Sequence, residues 1–337
     1  MSSVKHRLSM FGSVAAIISV VTLALYLFLS YFTSLSFFLV FAIIIPFFLL
    51  QWWFAPKIIE KAHGVKPASE DEYGRLHEVV ERISESSGIE KPQLMIADTD
   101  LPNAFAYGNG WSGKKIALTK GLLKSLEFEE VEAVIGHEMG HHKNGDAKMM
   151  MTLSILPAIF MMIGRMFLFS MLFGRNRRGG APVVAMAAGS MLVYFVLNLC
   201  IMNFSRMREF MADDHAAKIV PDGARKLSKG LAKINYHAAK MKEEKKSSKR
   251  GGRASRTKPS HFRNRGSKGD RSLGMSLKPL FISDPDTAKE LDSERISDRE
   301  LVEKFKKKEL STWEKVLELF SSHPNVADRL KALEQYY

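Results

Sequence analysis

Cysteine is almost absent from this sequence: Cys200 is the only one in 337 residues. No disulfide can form within the chain and no cysteine-based zinc cluster can be assembled, while Cys200 itself lies in an apolar run where a thiol is inert. Charge is missing in one place. Residues 8–56 contain no Asp, Glu, Lys or Arg, a run longer than the apolar region of a cleaved signal peptide and long enough for two membrane helices. Aromatic residues are scarce where basic charge concentrates. The chain carries 49 basic against 36 acidic residues, a net charge of +13, and much of the surplus falls in residues 242–271, where Phe262 is the only Phe, Tyr or Trp. That scarcity argues against nucleic acid as a partner, because single strands are held by stacking on aromatic rings.

What is present organises the chain into four parts. Residues 1–56 read as a two-helix transmembrane hairpin with spans near 10–30 and 37–54, and Trp52, Trp53 and Phe54 sit at an interface. Lys5 and Arg7 precede the first span and Lys57, Lys61 and Lys66 follow the second, which places both flanks in the cytoplasm. Residues 57–148 form a cytosolic part. Ser69 and Glu72 have the form of a capping box for a helix with apolar positions at Tyr73, Leu76, Val79, Val80 and Ile83, closed by Gly88. Strands are expected at 93–97 and 115–119, with 101–113 a turn-rich or edge segment between them.

Residues 149–204 form a second apolar hairpin, of which 180–204 is free of charge and long enough to span. The first arm contains Arg165, either snorkelling to an interface or facing a cavity. Arg175, Arg177 and Arg178 link the arms. Full crossing puts them outside, against the positive-inside tendency, so the hairpin either breaks that rule or enters the bilayer in part. Residues 205–337 return to the cytosol. Within them 242–271 is a disordered basic insert, a solvated linker or a contact to anionic lipid headgroups. Order resumes at 277–282, helical periodicity returns over 301–320, and a last helix covers 325–336. The fold class expected is mainly α with a small β-sheet, combined with about four membrane helices.

The chemistry centres on His137-Glu138-Met139-Gly140-His141. Phe128, Val131, Val134 and Ile135 make an apolar stripe, acids precede it and Asn144-Gly145 ends it, so the motif lies on a helix. There the two imidazoles, four residues apart, share a face and can hold one metal ion, with Glu138 placed to take a proton from water. A buried structural histidine pair is the plainer alternative. A catalytic zinc has three protein ligands and one open position, so a third is needed. The segment that follows the second hairpin, 205–214, offers Glu209, which shares a helix face with Asp213. His142 and His215 fit no ligand position.

His-Glu-Met-Gly-His, then an apolar hairpin, then Ser205-Arg206-x-x-Glu209-x-x-Ala212-Asp213, resembles the HtpX family of membrane-integrated zinc endopeptidases, relatives of the CAAX prenyl proteases. Pro102-Asn103-Ala104-Phe105-Ala106, Leu280-Phe281-Ile282 and Ser322-His323-Pro324 extend the likeness over most of the chain. The resemblance implies a zincin-like (gluzincin) domain, one Zn2+ bound by His137, His141 and Glu209, and Glu138 as general base. It implies that Asp213 orients a ligand imidazole, its alternative being an ordinary surface acid. Asn103 and His323 match positions that contact substrate backbone or a developing oxyanion, against a turn residue and a cap or core histidine. Arg329 either pairs with a carboxylate near the site or is solvated. The chain departs from the family in reading Ser-His-Pro-Asn at 322–325, without the doubled proline, and in the basic insert.

The expected protein is a multi-pass cell-membrane endopeptidase that uses a metal-activated water to cleave membrane or misfolded proteins on the cytosolic side. Its partners are protein or peptide substrates and the lipid bilayer. If one ion binds both His141 and Glu209, the hairpin between them must begin and end on the same side. A CAAX-type prenyl-protein peptidase is the alternative enzyme, though that branch has more membrane spans; a non-catalytic membrane scaffold with a lipid-binding tract is the alternative of another kind.

Overall fold

The computed structural model describes residues 36–173, 180–251, 297–307 and 318–337. The expected span at 10–30, the arginine link at 175–178 and the segment 277–282 lie outside the described residues. The element order is α1 (Ser36–His63), β1 (Val65–Pro67), α2 (Glu70–Ser87), β2 (Gln93–Ala97), β3 (Ala104–Asn109), β4 (Gly113–Thr119), α3 (Lys120–Ser125), α4 (Phe128–Asn144), α5 (Asp146–Phe173), α6 (Gly180–Ile219), α7 (Gly223–Gly251), α8 (Asp298–Lys307) and α9 (Val326–Leu333), closed by a 3-10 turn at Glu334–Tyr336. It is mainly helical with one small mixed sheet.

The strands run in the order β1-β2-β4-β3. β2 and β4 are parallel, in register from Gln93 opposite Lys115 to Ala97 opposite Thr119, and β1 and β3 add antiparallel edges. β3 is the edge that matters later, because one side pairs with β4 and the other has no strand neighbour among the described residues. Alternate residues go to two clusters. Leu94, Ile96, Ala104, Ile116 and Leu118 join the main core with α2, α4 and α7, while Met95, Ala97, Phe105, Tyr107 and Ala117 pack with Val65 and Ile59 of α1. A sheet covered on both faces has no polar alternation, hence the continuous apolar runs in β2 and β4.

Around this sheet the helices pack through small residues. A Cβ added to Gly136 of α4 would lie 2.7 Å from Val220 Cγ2, and one on Gly140 would lie 2.9 Å from Ala212 Cα of α6. Both glycines therefore let α4 and α6 approach more closely than side chains allow. Gly145, at φ 68°, ends α4 in the left-handed conformation and returns its N–H to the carbonyls of His141 and His142. α5 starts at the very next residue.

Two described helical segments, Asp146–Leu168 and Gly180–Ile219, are long and apolar enough to cross a membrane, against the expectation of about four. α1 carries the other described run and continues past it to His63. Arg165 is exposed on α5. Ser69 makes no side-chain cap, because the first turn of α2 is distorted at Tyr73 (φ −120°); the capping box forms instead between Glu127 and Glu130, ahead of the motif helix. α7 runs into the basic tract as far as Gly251, since its Lys and Glu residues are good helix formers. β1 has no pattern to read in three residues, and of the expected helix over 301–320 the described parts are α8, which starts at Asp298, and 318–320, where Leu319 and Phe320 form a turn.

Candidate active site

α4 presents its His pair inward. His137 is fully buried, His141 is partly so, and their Nε2 atoms face each other at 3.2 Å. Each imidazole is fixed from behind. His137 Nδ1 lies 2.9 Å from Asp213 Oδ1, and His141 Nδ1 lies 2.6 Å from Asp146 Oδ2. Because a carboxylate only accepts, both Nδ1 atoms carry the proton and both Nε2 atoms turn lone pairs toward one point. Glu209 of α6 straddles that point, with Oε2 3.6 Å from His137 Nε2 and Oε1 3.6 Å from His141 Nε2.

Lone pairs converge here with no proton to share, an arrangement that requires a cation between them. A small tetrahedral ion with arms of roughly 2.1 Å sets its ligands roughly 3.4 Å apart, so 3.2 and 3.6 Å are the separations such an ion needs. Charge agrees with geometry. The carboxylates of Glu138, Asp146, Glu209 and Asp213 outnumber the guanidiniums of Arg208 and Arg329, and one divalent cation balances the deficit. Without a cation the acids draw a second proton to His137 instead: burial opposes it, but Asp213 and Glu209 outweigh burial and raise its pKa to about 9. His137, His141 and Glu209 thus fit a metal site.

Arg329 explains how two acids sit side by side without solvent. Its side chain is fully buried; Nε donates to Asp213 Oδ2 at 2.8 Å and Nη2 to Oδ1 at 2.6 Å, while Nη1 lies 3.3 Å from Glu209 Oε2. The paired geometry is the two-pronged one that a planar guanidinium provides. Burial disfavours its charge, yet Asp213 and Glu209 more than compensate. Glu138 is buried against the cavity, its pKa raised by desolvation, and takes a backbone N–H bond from Ala106 of β3. His323 comes in from the C-terminal segment, Nδ1 3.4 Å from Glu209 Oε1. Asn103 is buried just before β3, its N–H bonded to Thr119 Oγ1 at 2.9 Å; among the expected site residues Asn103, Asp213 and Arg329 are not on the cavity wall.

A cavity of about 500 Å³ opens over the His pair. Its walls include Ala104 to Gly108 of β3, Trp52 and Ala55 of α1, Met150 and Ser154 of α5, and Asn198 and Met202 of α6. His142 and His215 stand aside, as expected. His142 donates Nε2–H to the Lys115 carbonyl at 2.9 Å, and burial lowers its pKa to about 4; His215 bonds Ser87 at 2.9 Å. Two residues escaped the sequence reading. Asp146 orients His141, and Arg208 Nε pairs with the same carboxylate oxygen at 3.0 Å. The available signal was an acid directly after the glycine that ends the motif helix.

Two imidazoles and a carboxylate converging on one point, with a second carboxylate in a cleft bordered by an edge strand, define a metallopeptidase. Comparison with known proteins gives the family. Residues 70–337 match peptidase family M48. A protein of Thermoplasma acidophilum named Protease HtpX homolog is 34% identical over 300 residues, covering 87% of this chain and 84% of its own. Another of that name, from Aeropyrum pernix, is 32% identical over 295 residues, covering 85% and 82%. Among solved structures, the crystal structure of S. mikatae Ste24p aligns with 98% of this chain and 67% of its own at 16% identity and a TM-score of 0.49. The chain belongs to peptidase family M48 and is an HtpX-type metallopeptidase.

Proposed function

We propose that the protein is a membrane-anchored zinc endopeptidase, zincin-like in its catalytic half, that cleaves membrane or misfolded proteins at the cytoplasmic face as part of protein quality control. One observation carries this reading: a single cavity is walled both by the His137, His141 and Glu209 cluster and by α1, α5 and α6 where they leave their apolar runs. His137, His141 and Glu209 hold the zinc, which when bound acidifies water and polarises a peptide carbonyl. Glu138 is the general base, and its buried carboxylate is kept in place by the Ala106 N–H.

Substrate backbone pairs with the open edge of β3 by main-chain hydrogen bonds, as an added strand. This brings the peptide across the cavity mouth without reading its side chains, which suits a protease of unfolded chains. His323, which lines the cavity, supplies a hydrogen bond to substrate or to the oxyanion. Asp213 orients His137, with Arg329 holding Asp213 in turn, and Asp146 does the same for His141. A hairpin of α5 and α6 that enters the bilayer and returns leaves both halves of the site on one side of it, and the length and apolar character of the two helices support that reading. With Lys57 and Lys61 after α1, that side is the cytoplasm. Membership of a peptidase family leaves the scaffold alternative without support.

The test is casein cleavage by detergent-solubilised full-length protein, with zinc or with chelator, for the wild type and Glu138→Gln. Zinc-dependent cleavage that disappears in the variant while stoichiometric zinc remains bound is the expected result. A variant that cleaves at the wild-type rate refutes the general-base role.

A further inference from the structure

Trp111 occupies the tip of the β3–β4 hairpin with 74% of its surface exposed. Its indole stacks on Trp53 of α1, centroids 4.6 Å apart and planes tilted by 31°, and Trp53 is itself 43% exposed. The tip is built to stay there. Asn109 accepts the N–H groups of Trp111 and Ser112 at 3.0 and 2.8 Å, closing the turn, and its amide donates to the Trp52 carbonyl at 2.7 Å. Lower on the hairpin, Glu60 of α1 accepts from Lys115 at 2.6 Å and from Tyr107 at 3.2 Å. The hairpin is therefore fastened to α1 at two heights, and the upper fastening holds two large indoles out toward solvent.

The level of this patch is set by α1. Trp53 lies where the uncharged run ends, Phe54 and Ile58 beside it are exposed, and Lys57 and Lys61 follow at four-residue spacing on the Trp53 face. Lys114, exposed, stands one pair below the tip of the hairpin. Indoles flanked by lysines at the end of an apolar helix match the headgroup layer of a bilayer, which accepts the amphipathic ring and attracts the cations.

We propose that the β3–β4 hairpin is a second membrane contact. Trp111 and Trp53 lie together in the headgroup layer, the surrounding lysines face anionic lipid, and edge strand β3 is thereby held at the bilayer surface, where a chain emerging from the membrane meets it. This rests on the reading of α1 as a membrane segment and names the direction from which substrate arrives.

The experiment uses the full chain carrying Trp52→Phe, Trp53→Phe and Trp313→Phe, which leaves Trp111 as the sole tryptophan. The protein is reconstituted in phosphatidylcholine and phosphatidylglycerol vesicles, with or without bromine on the upper acyl chain. Brominated lipid should quench roughly half or more of the emission, and aqueous iodide should quench little. Strong iodide quenching with none from brominated lipid overturns the proposal. Protection from both that grows with protein density in the vesicle assigns the patch to a second copy of the chain and overturns it too. Failure to float with vesicles removes the membrane reading itself, a result separate from any loss of casein cleavage. As a functional check, Trp111→Asp should slow cleavage of a membrane-embedded substrate about 10-fold and leave casein cleavage unchanged; equal loss on both substrates counts against the contact.

Discussion

Replacing Gly140 with alanine puts one methyl group between the two helices that build the metal site. The new Cβ would stand 2.9 Å from Ala212 Cα and 3.2 Å from both Ala212 Cβ and His215 Cβ. Carbon atoms rest at about 3.5–4.0 Å, so α4 and α6 must part by about 0.6–1 Å locally. Ala212 is one helical turn from Glu209, and the carboxylate moves with it. Metal–ligand distances tolerate only about 0.2 Å, so the displacement exceeds the tolerance at least threefold. Overpacking of this kind costs about 1–3 kcal/mol, partly offset by the roughly 1 kcal/mol that alanine gains over glycine in a helix. The variant should therefore fold, lose about 10-fold or more in zinc affinity and lose most of its casein cleavage. Affinity is read by competition with a chromophoric chelator, and folding by thermal unfolding of the metal-free protein. Gly136→Ala is the matched control. Its new Cβ meets Val220 Cγ2, the end of a side chain, and Ala216 at no closer than 3.4 Å, so it should spare affinity. Wild-type zinc affinity in Gly140→Ala refutes the idea that this glycine sets the distance between the metal ligands.

Three further outcomes follow from the same contacts. Arg329→Met leaves Asp213 buried with its guanidinium removed, and should cost about 3–5 kcal/mol in urea unfolding; a loss under about 1 kcal/mol contradicts the pairing. Asp146→Asn keeps the shape but removes the charge behind His141, and should weaken zinc binding about 10- to 100-fold with little change in the unfolding midpoint of the metal-free protein. Stripping zinc with chelator should lower the unfolding midpoint, by an amount that grows with free zinc at about 2.7 kcal/mol for a concentration 100 times Kd; a midpoint indifferent to zinc means that the cluster holds no ion.

The parts of the site that were legible are those carried by single helices. His137 and His141, four residues apart, and Glu209 and Asp213, also four apart, each announce a shared face, because helical spacing is a local property. The join between the two helices was not legible. It depends on Gly140 and Ala212 being in register across 72 residues, and nothing in either segment alone specifies that contact. Asp146 illustrates the same limit at short range. Its carboxylate reaches His141 only because Gly145 takes a left-handed turn that reverses the chain, and a spacing of five does not indicate such a contact. The sheet was half visible: β2 and β4 stand out as apolar runs, β1 is too short for a pattern, and β3 sits in a stretch that read as turn-rich or edge, of which edge is what forms. For Arg329 the sequence left two readings, a partner of a carboxylate near the site or a solvated helix arginine, and only the packing of α9 turns it into the core against Asp213.

α6 has 40 residues and is unbroken from the apolar hairpin to Ile219, about 60 Å at the usual rise. Its far end is packed into the core by Ala216 and the adjoining Val220, and Ala212, one turn from Glu209, lies against Gly140 of α4. The same unbroken helix therefore carries the apolar run at one end and a site carboxylate near the other, with no hinge between them. A rotation or shift of the apolar run has no loop in which to dissipate before it reaches Glu209.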